Sequence, residues 1–146
     1  KLIHERWNCR WKMFGVARDR AVADAIVNLA GVPIEDLVGK TSLRELMSEL
    51  RRCNGLLSND TGTMHLAAFL GVRVVAVFGS TEPRLTAPLG SHHRVIRHHV
   101  ECSPSFLREC PIDFRCMKAV NVSEVMAAFE TLLAGRKGAQ SLVSNP

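Results

Sequence analysis

The eight residues Ser58-Asn59-Asp60-Thr61-Gly62-Thr63-Met64-His65 put an acid, hydroxyls, a glycine and an imidazole between two hydrophobic segments. Gly62 lets a ligand approach the backbone closely. Thr61 and Thr63 offer hydroxyls. A helix opening near Gly62 would add unpaired N–H groups and a partial positive charge. Together these are the parts of a seat for a phosphate or diphosphate. His65, on the first turn, can hydrogen-bond or, when protonated, offset phosphate charge. Asp60 is a poor partner for phosphate and suits sugar hydroxyls, or a cap on the helix. The same run also has a purely structural reading, as an N-cap and a turn.

The flanking sequence supplies elements that can hold such a seat. Gly55–Ser58 reads as a short buried strand, and helix signals run from Thr61 to Leu70, closed by Gly71. Val72–Phe78 is apolar nearly throughout, as strands of a parallel sheet covered on both faces are. The polar run therefore falls at the carboxyl edge of a parallel sheet, where open α/β folds bind ligands.

Upstream, residues 1–11 show no period. Lys12–Phe14 is expected as a strand, followed by a glycine turn and a helix over 19–30 with Val22, Ala25, Ile26 and Leu29 on its buried stripe. Leu37–Gly39 is expected as an extended piece. Ser42 and Glu45 form a capping box ahead of a helix whose stripe is Leu43, Leu46, Met47 and Leu50. Downstream come a loop over 79–93, a strand over 94–100, a cysteine-bearing loop over 101–117, and a helix from Asn121 capped by Ser123. Its core face is Val125, Met126, Phe129 and Leu132. This alternation specifies an α/β fold, Rossmann-like, with a mostly parallel sheet and flanking helices.

Composition narrows the function. The 146 residues suffice for one domain with one core. A net charge of +5 suits anionic small molecules, nucleic acid or an anionic membrane surface, and chooses none of them. Scattered basic residues and only 5% aromatics argue against a nucleic-acid surface. No stretch approaches the roughly 18 apolar residues of a spanning helix, and the N-terminus has no apolar region of a secretory signal. Five cysteines, an odd number in a chain rich in core-forming residues, read as reduced thiols in a cytoplasmic protein.

The segment "SNDTGTMHLAAFLGVRVVAVFGSTEP" resembles the donor-domain motif of the ADP-heptose:lipopolysaccharide heptosyltransferases, glycosyltransferase family 9. "GKTSLRELMSEL" and "ECSPSFLRECPIDFRCM" look like the heptosyltransferase II branch. The resemblance covers about residues 15–133. It implies the C-terminal half of a GT-B glycosyltransferase, with residues 12–134 as donor-binding domain, 1–11 irregular or truncated, and 135–146 a flexible tail. It implies that Asp60, Thr61, Gly62, Thr63 and His65 face the diphosphate and heptose of ADP-L-glycero-D-manno-heptose. Asp19 matches an acidic position suited to a ribose hydroxyl. Thr81 and Glu82 lie at another strand's carboxyl end and either line the same cleft or form a plain turn. No cofactor and no metal is implied. The general base is expected in an N-terminal domain absent from this sequence, which would also hold the acceptor, inner-core lipopolysaccharide. Peripheral contact with the inner face of the inner membrane is compatible with that acceptor.

Two departures from the family pattern stand out. Arg6-Trp7 lies only a few residues from Phe14, which implies a missing helix and part of a strand and an exposed sheet edge able to promote oligomerisation. Ser105 stands where that branch often has a cysteine; a Cys3His zinc site from Cys102, Cys110, Cys116 and His98 or His99 is the metal alternative, at irregular spacing. A standalone nucleotide-binding module and an inactive remnant are the other readings of the chain.

Overall fold

The structure is a computed structural model that describes the backbone of residues 1–140 and the side chains of 1–134. The chain divides into two compact units, Lys1–Glu49 and the part from Leu50 onward.

The first unit opens with helix α1 (Leu2–Trp7), where the sequence shows no period. Six residues are too few to display one. Asn8 in the left-handed conformation stops it, with its N–H donated to the His4 carbonyl at 2.7 Å. Strand β1 (Trp11–Met13) pairs in parallel with β2 (Ile34–Asp36). A 3-10 turn (Ala17–Asp19) and helix α2 (Arg20–Ala30) connect them. The second strand thus falls three residues before the expected 37–39. Val38 and Gly39 instead belong to a turn, with the Val38 N–H donated to Asp36 Oδ1 at 3.1 Å and the Gly39 N–H to the Gly15 carbonyl at 2.9 Å.

Helix α2 departs from expectation more sharply. Of its residues only Ala23 is buried, while Val22 is 64% and Leu29 86% exposed. Periodicity says which side chains share a face; it does not supply a neighbour to cover that face.

Helix α3 (Leu43–Arg51) starts at the expected capping box: Ser42 N–H donates to Glu45 Oε2 at 2.8 Å and Glu45 N–H to Ser42 Oγ at 3.4 Å. Leu50 is fully buried, but Leu43, in the first turn, is exposed. Lys12 reaches both Glu35, at 3.2 Å, and Glu49.

The second unit is built on three parallel strands in the order β3 (Leu56–Asn59), β4 (Val74–Phe78), β5 (Arg94–Arg97). Helix α4 (Gly62–Phe69) packs on β3 and β4, and α7 (Val122–Gln140) packs on β4 and β5. Val74, Val75, Ala76 and Phe78 are fully buried between them, as a central parallel strand requires. Met64 and Ala67 of α4 and Phe129 and Leu132 of α7 complete this core.

Two short helices fall where the sequence shows only loop. In α5 (Pro83–Thr86) Pro83 sits at the first position and Glu82 caps, its carboxylate accepting the Arg84 N–H at 3.2 Å. α6 (Arg115–Lys118) follows Phe114. The cap of α7 is Asn121, not Ser123: Glu124 N–H donates to Asn121 Oδ1 at 3.0 Å, and Asn121 N–H returns to Glu124 at 3.2 Å. The expected tail of 135–146 begins as helix up to Gln140; residues 141–146 lie outside the described residues.

Phe78→Ala is expected to destabilise the second unit by about 3–5 kcal/mol through lost transfer energy and a cavity, measured by urea unfolding. In the first unit, Arg20 Nη1 at 2.7 Å, the Val38 N–H and Lys40 Nζ at 3.2 Å hold Asp36 at a pKa of about 2, below its ordinary 3.8. A depressed carboxylate pKa stabilises the fold above the unfolded value, and the effect fades as pH falls toward 2. Asp36→Asn should therefore lower stability most above pH 4, and the difference from the parent chain should vanish near pH 2.

Candidate functional site

The in-register pairing Asn59↔Val77 brings the ends of β3 and β4 to one edge of the sheet. The turn 59–62 and the loop after Phe78 leave side by side. They line a cavity of about 220 Å³, with Asp60, Ser80 and Thr81 on the sheet side and Arg108, Cys110 and Met117 contributed by the late loop. Gly79 is part of its wall. A Cβ there would sit 2.5 Å from Met117 Sδ, so a larger residue would push Met117 out of place.

Asp60 does not cap α4. One carboxylate oxygen, Oδ2, accepts the Thr86 hydroxyl of α5 at 2.8 Å. Thr61 occupies the N-cap position but makes no side-chain cap; its hydroxyl lies 3.2 Å from Ser58 Oγ. Neither nearby oxygen is spent on the first N–H groups of the helix. Beside them Gly62 faces open space, with nothing within 4 Å of where a Cβ would be. His65 is exposed one turn further on, and Thr63 is half-buried. An uncapped helix start, open space and an immobilised acid are what a ligand with both a phosphate and hydroxyls needs.

The other expected residues separate. Thr81 shares the cavity with Asp60. Glu82 is engaged elsewhere: Arg97 Nη1 lies 3.1 Å from its Oε2, and Arg97 Nη2 also donates to Ser103 Oγ at 3.4 Å. Ser103, itself buried, donates to the Gly79 carbonyl at 2.6 Å. Glu82 thus ties α5, β5 and the late loop together. Asp19 belongs to the first unit, where its Oδ2 accepts the Val16 N–H at 3.0 Å.

Sequence reading missed Thr86, Ser80 and Arg108. Thr86 lies 26 residues from Asp60, and its role depends on a four-residue helix that leaves no periodic trace.

The cysteines of the late loop also gather here. Cys102, Cys110 and Cys116 all line the cavity. The backbone N–H groups of Ile112 and Phe114 hold the Cys110 thiol below its usual pKa, the Phe114 nitrogen lying 3.3 Å from the sulfur. His98 is bound to Glu124 at 2.9 Å. Among the described residues no group of three His, Cys, Asp or Glu is arranged to hold a metal ion, so the Cys3His arrangement is not formed. His93 is half-buried. The Val74 N–H points at its Nδ1 at 3.2 Å, its Nε2 lies 2.9 Å from the Leu89 carbonyl, and burial lowers its pKa.

A parallel α/β unit of this kind defines a Rossmann-like fold. The comparisons specify it further. The family model described as glycosyltransferase family 9 (heptosyltransferase) matches residues 2–114, and the chain belongs to that family. Lipooligosaccharide heptosyltransferase 2 of Campylobacter jejuni is 29% identical over 110 residues, covering 74% of this chain and 34% of that protein. Lipopolysaccharide heptosyltransferase 2 of Escherichia coli is 35% identical over 91 residues, covering 58% and 26%. Among solved structures, the family 9 glycosyl transferase of Veillonella parvula superposes with a TM-score of 0.76 at 26% identity, over 89% of this chain and 38% of that one. The ADP-heptose lps heptosyltransferase II of E. coli gives 0.73 at 25%, over 88% and 37%. Both neighbours place the fold in the GT-B class. The chain spans about a third of the length of the relatives it matches.

Glu82→Ala is expected to cost about 2 kcal/mol in stability by stranding Arg97 while leaving ligand affinity nearly unchanged. Unfolding in urea and calorimetric titration of the same variant check the two halves of that expectation.

Proposed function

We propose that this chain is the donor-binding, C-terminal half of a heptosyltransferase, taking ADP-L-glycero-D-manno-heptose for transfer to inner-core lipopolysaccharide. The observation that carries this reading is the division of labour after β3. Asp60 is fixed by Thr86, and the start of α4 is left without a side-chain cap. The α4 N–H groups, with Thr61, Thr63 and His65, receive the diphosphate. Asp60 keeps one oxygen for hydroxyls of the sugar. Thr81 lines the adjoining cavity, and Asp19 is assigned to the ribose by the motif match alone.

In this reading a base on the N-terminal half deprotonates an acceptor hydroxyl. The oxygen attacks the anomeric carbon opposite the diphosphate, the configuration inverts, and ADP departs. The contribution of the present residues is electrostatic: fixed N–H dipoles face the charge that accumulates on the leaving diphosphate. The acceptor is a lipid, which brings the enzyme to the inner face of the inner membrane.

The test is a two-dimensional amide NMR titration with ADP, using UDP and GDP as controls. Shifts at residues 59–65 that are selective for ADP are expected. Asp60→Asn should weaken binding of ADP-heptose about tenfold, the loss of roughly one charged hydrogen bond, and leave ADP alone little affected. Equal responses to all three nucleotides, or none at 59–65, would sink the reading.

A further inference from the structure

Three thiols share one small space, and the chemistry proposed above uses none of them. Cys102, Cys110 and Cys116 line the cavity beside Asp60 and Thr81, and all three are free. They come from one loop. Its start is pinned to the loop after β4: the Ser105 and Phe106 N–H groups donate to the Ser80 carbonyl at 3.0 and 2.9 Å, and Ser103 Oγ donates to the Gly79 carbonyl at 2.6 Å. Its end is the short helix α6, where Cys116 is buried. Between these anchors Phe106 and Phe114 both take the left-handed conformation, uncommon for a residue other than glycine, and turn the chain on either side of residues 107–113. Cys110 is thereby set against the cavity, while Arg108, Pro111 and Ile112 stay exposed.

Cys110 differs from the chain's other thiols in its surroundings. Its sulfur accepts the Phe114 N–H at 3.3 Å, and the Ile112 N–H points at it too. These donors outweigh burial and the Asp113 carboxylate, and favour the thiolate. Cys110 is only half-buried, so a molecule as small as a peroxide reaches it. Cys9, in the first unit, has the opposite setting, its thiol pushed up by burial. A stabilised thiolate, access from solvent and further thiols on the same wall are the parts of a peroxide-sensitive site.

We propose that Cys110 is a site of reversible oxidation by a hydroperoxide, and that it closes as a disulfide onto one of the two other thiols of its cavity. In the first step the Cys110 thiolate attacks one oxygen of hydrogen peroxide. The S–O bond forms, the O–O bond breaks, and the departing hydroxide takes up the proton that the thiol gave up, leaving a sulfenic acid and water. In the second, the thiolate of Cys102 or Cys116 attacks the Cys110 sulfur. The S–S bond forms, the S–O bond breaks, and hydroxide leaves with the attacking thiol's proton as a second water. Two thiols together lose two electrons, and the peroxide is reduced to two waters. The disulfide draws residues 107–113 onto the wall that Asp60 and Thr81 share. The inference is independent of which ligand this edge receives.

The test treats the reduced 146-residue chain with one equivalent of hydrogen peroxide and maps its cysteines by mass spectrometry. Before oxidation, iodoacetamide should alkylate Cys110 about tenfold faster than Cys9. After it, a disulfide from Cys110 to Cys102 or Cys116 of the same chain is expected, reversed by dithiothreitol, with amide shifts at Asn59, Asp60 and Thr81. Cys110→Ser should slow peroxide consumption at least about tenfold. Cys102→Ser combined with Cys116→Ser should halt the reaction at a sulfenic acid that a cyclic dione traps. Should that double variant lose its dispersed amide spectrum, alkylating Cys110 in the parent chain beforehand should block the disulfide instead. Equal alkylation of Cys110 and Cys9, no oxidation, a disulfide that involves Cys9 or Cys53 or joins two chains, irreversible oxidation, or a zinc ion held by the thiols of the purified chain would each overturn the proposal.

Discussion

Everything in the candidate site hangs on the register between β3 and β4. Parallel pairing of Asn59 with Val77 means that two segments unrelated in sequence leave the sheet at one edge, a few ångströms apart. A slip of one residue would invert the alternation of β3 and move the turn 59–62 away from the loop after Phe78. The burial of β4 resists such a slip, because Val74, Val75, Ala76 and Phe78 are held from both faces by α4 and α7. The geometry at the edge is thus secured by a core that does not line it.

Several polar groups around this edge are used for fastening. Glu82, Arg97, Ser103 and the Gly79 carbonyl form one chain of contacts that joins the loop after β4 to the late loop. This explains why two neighbouring residues, Thr81 and Glu82, have different fates: one lines the cavity and the other braces it. Family membership gives the arrangement its context, and the chain spans 34% of the length of the C. jejuni relative.

Much of the second unit is legible in the sequence because its signals are redundant. Val72–Phe78 is apolar at every position but one, and the polar run after Ser58 is bracketed by a strand and a glycine-closed helix. The motif residues could be named for the same reason. What could not be read depends on neighbours distant in sequence. Thr86 is an ordinary loop threonine until α5 turns it toward Asp60. The stripe of α2 is periodic, yet Val22, Ile26 and Leu29 remain exposed, since amphipathicity does not create a partner. Short elements, α1 and α6 among them, are invisible because fewer than two turns carry no period.

The hydrogen bond between Thr86 and Asp60 bears on entropy as well as position. A free aspartate at a loop samples several rotamers, and a ligand that needs one of them must freeze the rest. Here the freezing happens during folding, before any ligand arrives. Association then loses less side-chain freedom, on the order of 0.5–1.5 kcal/mol for an immobilised side chain. In the proposed reading, a sugar hydroxyl in the wrong place meets a carboxylate that does not turn to accommodate it.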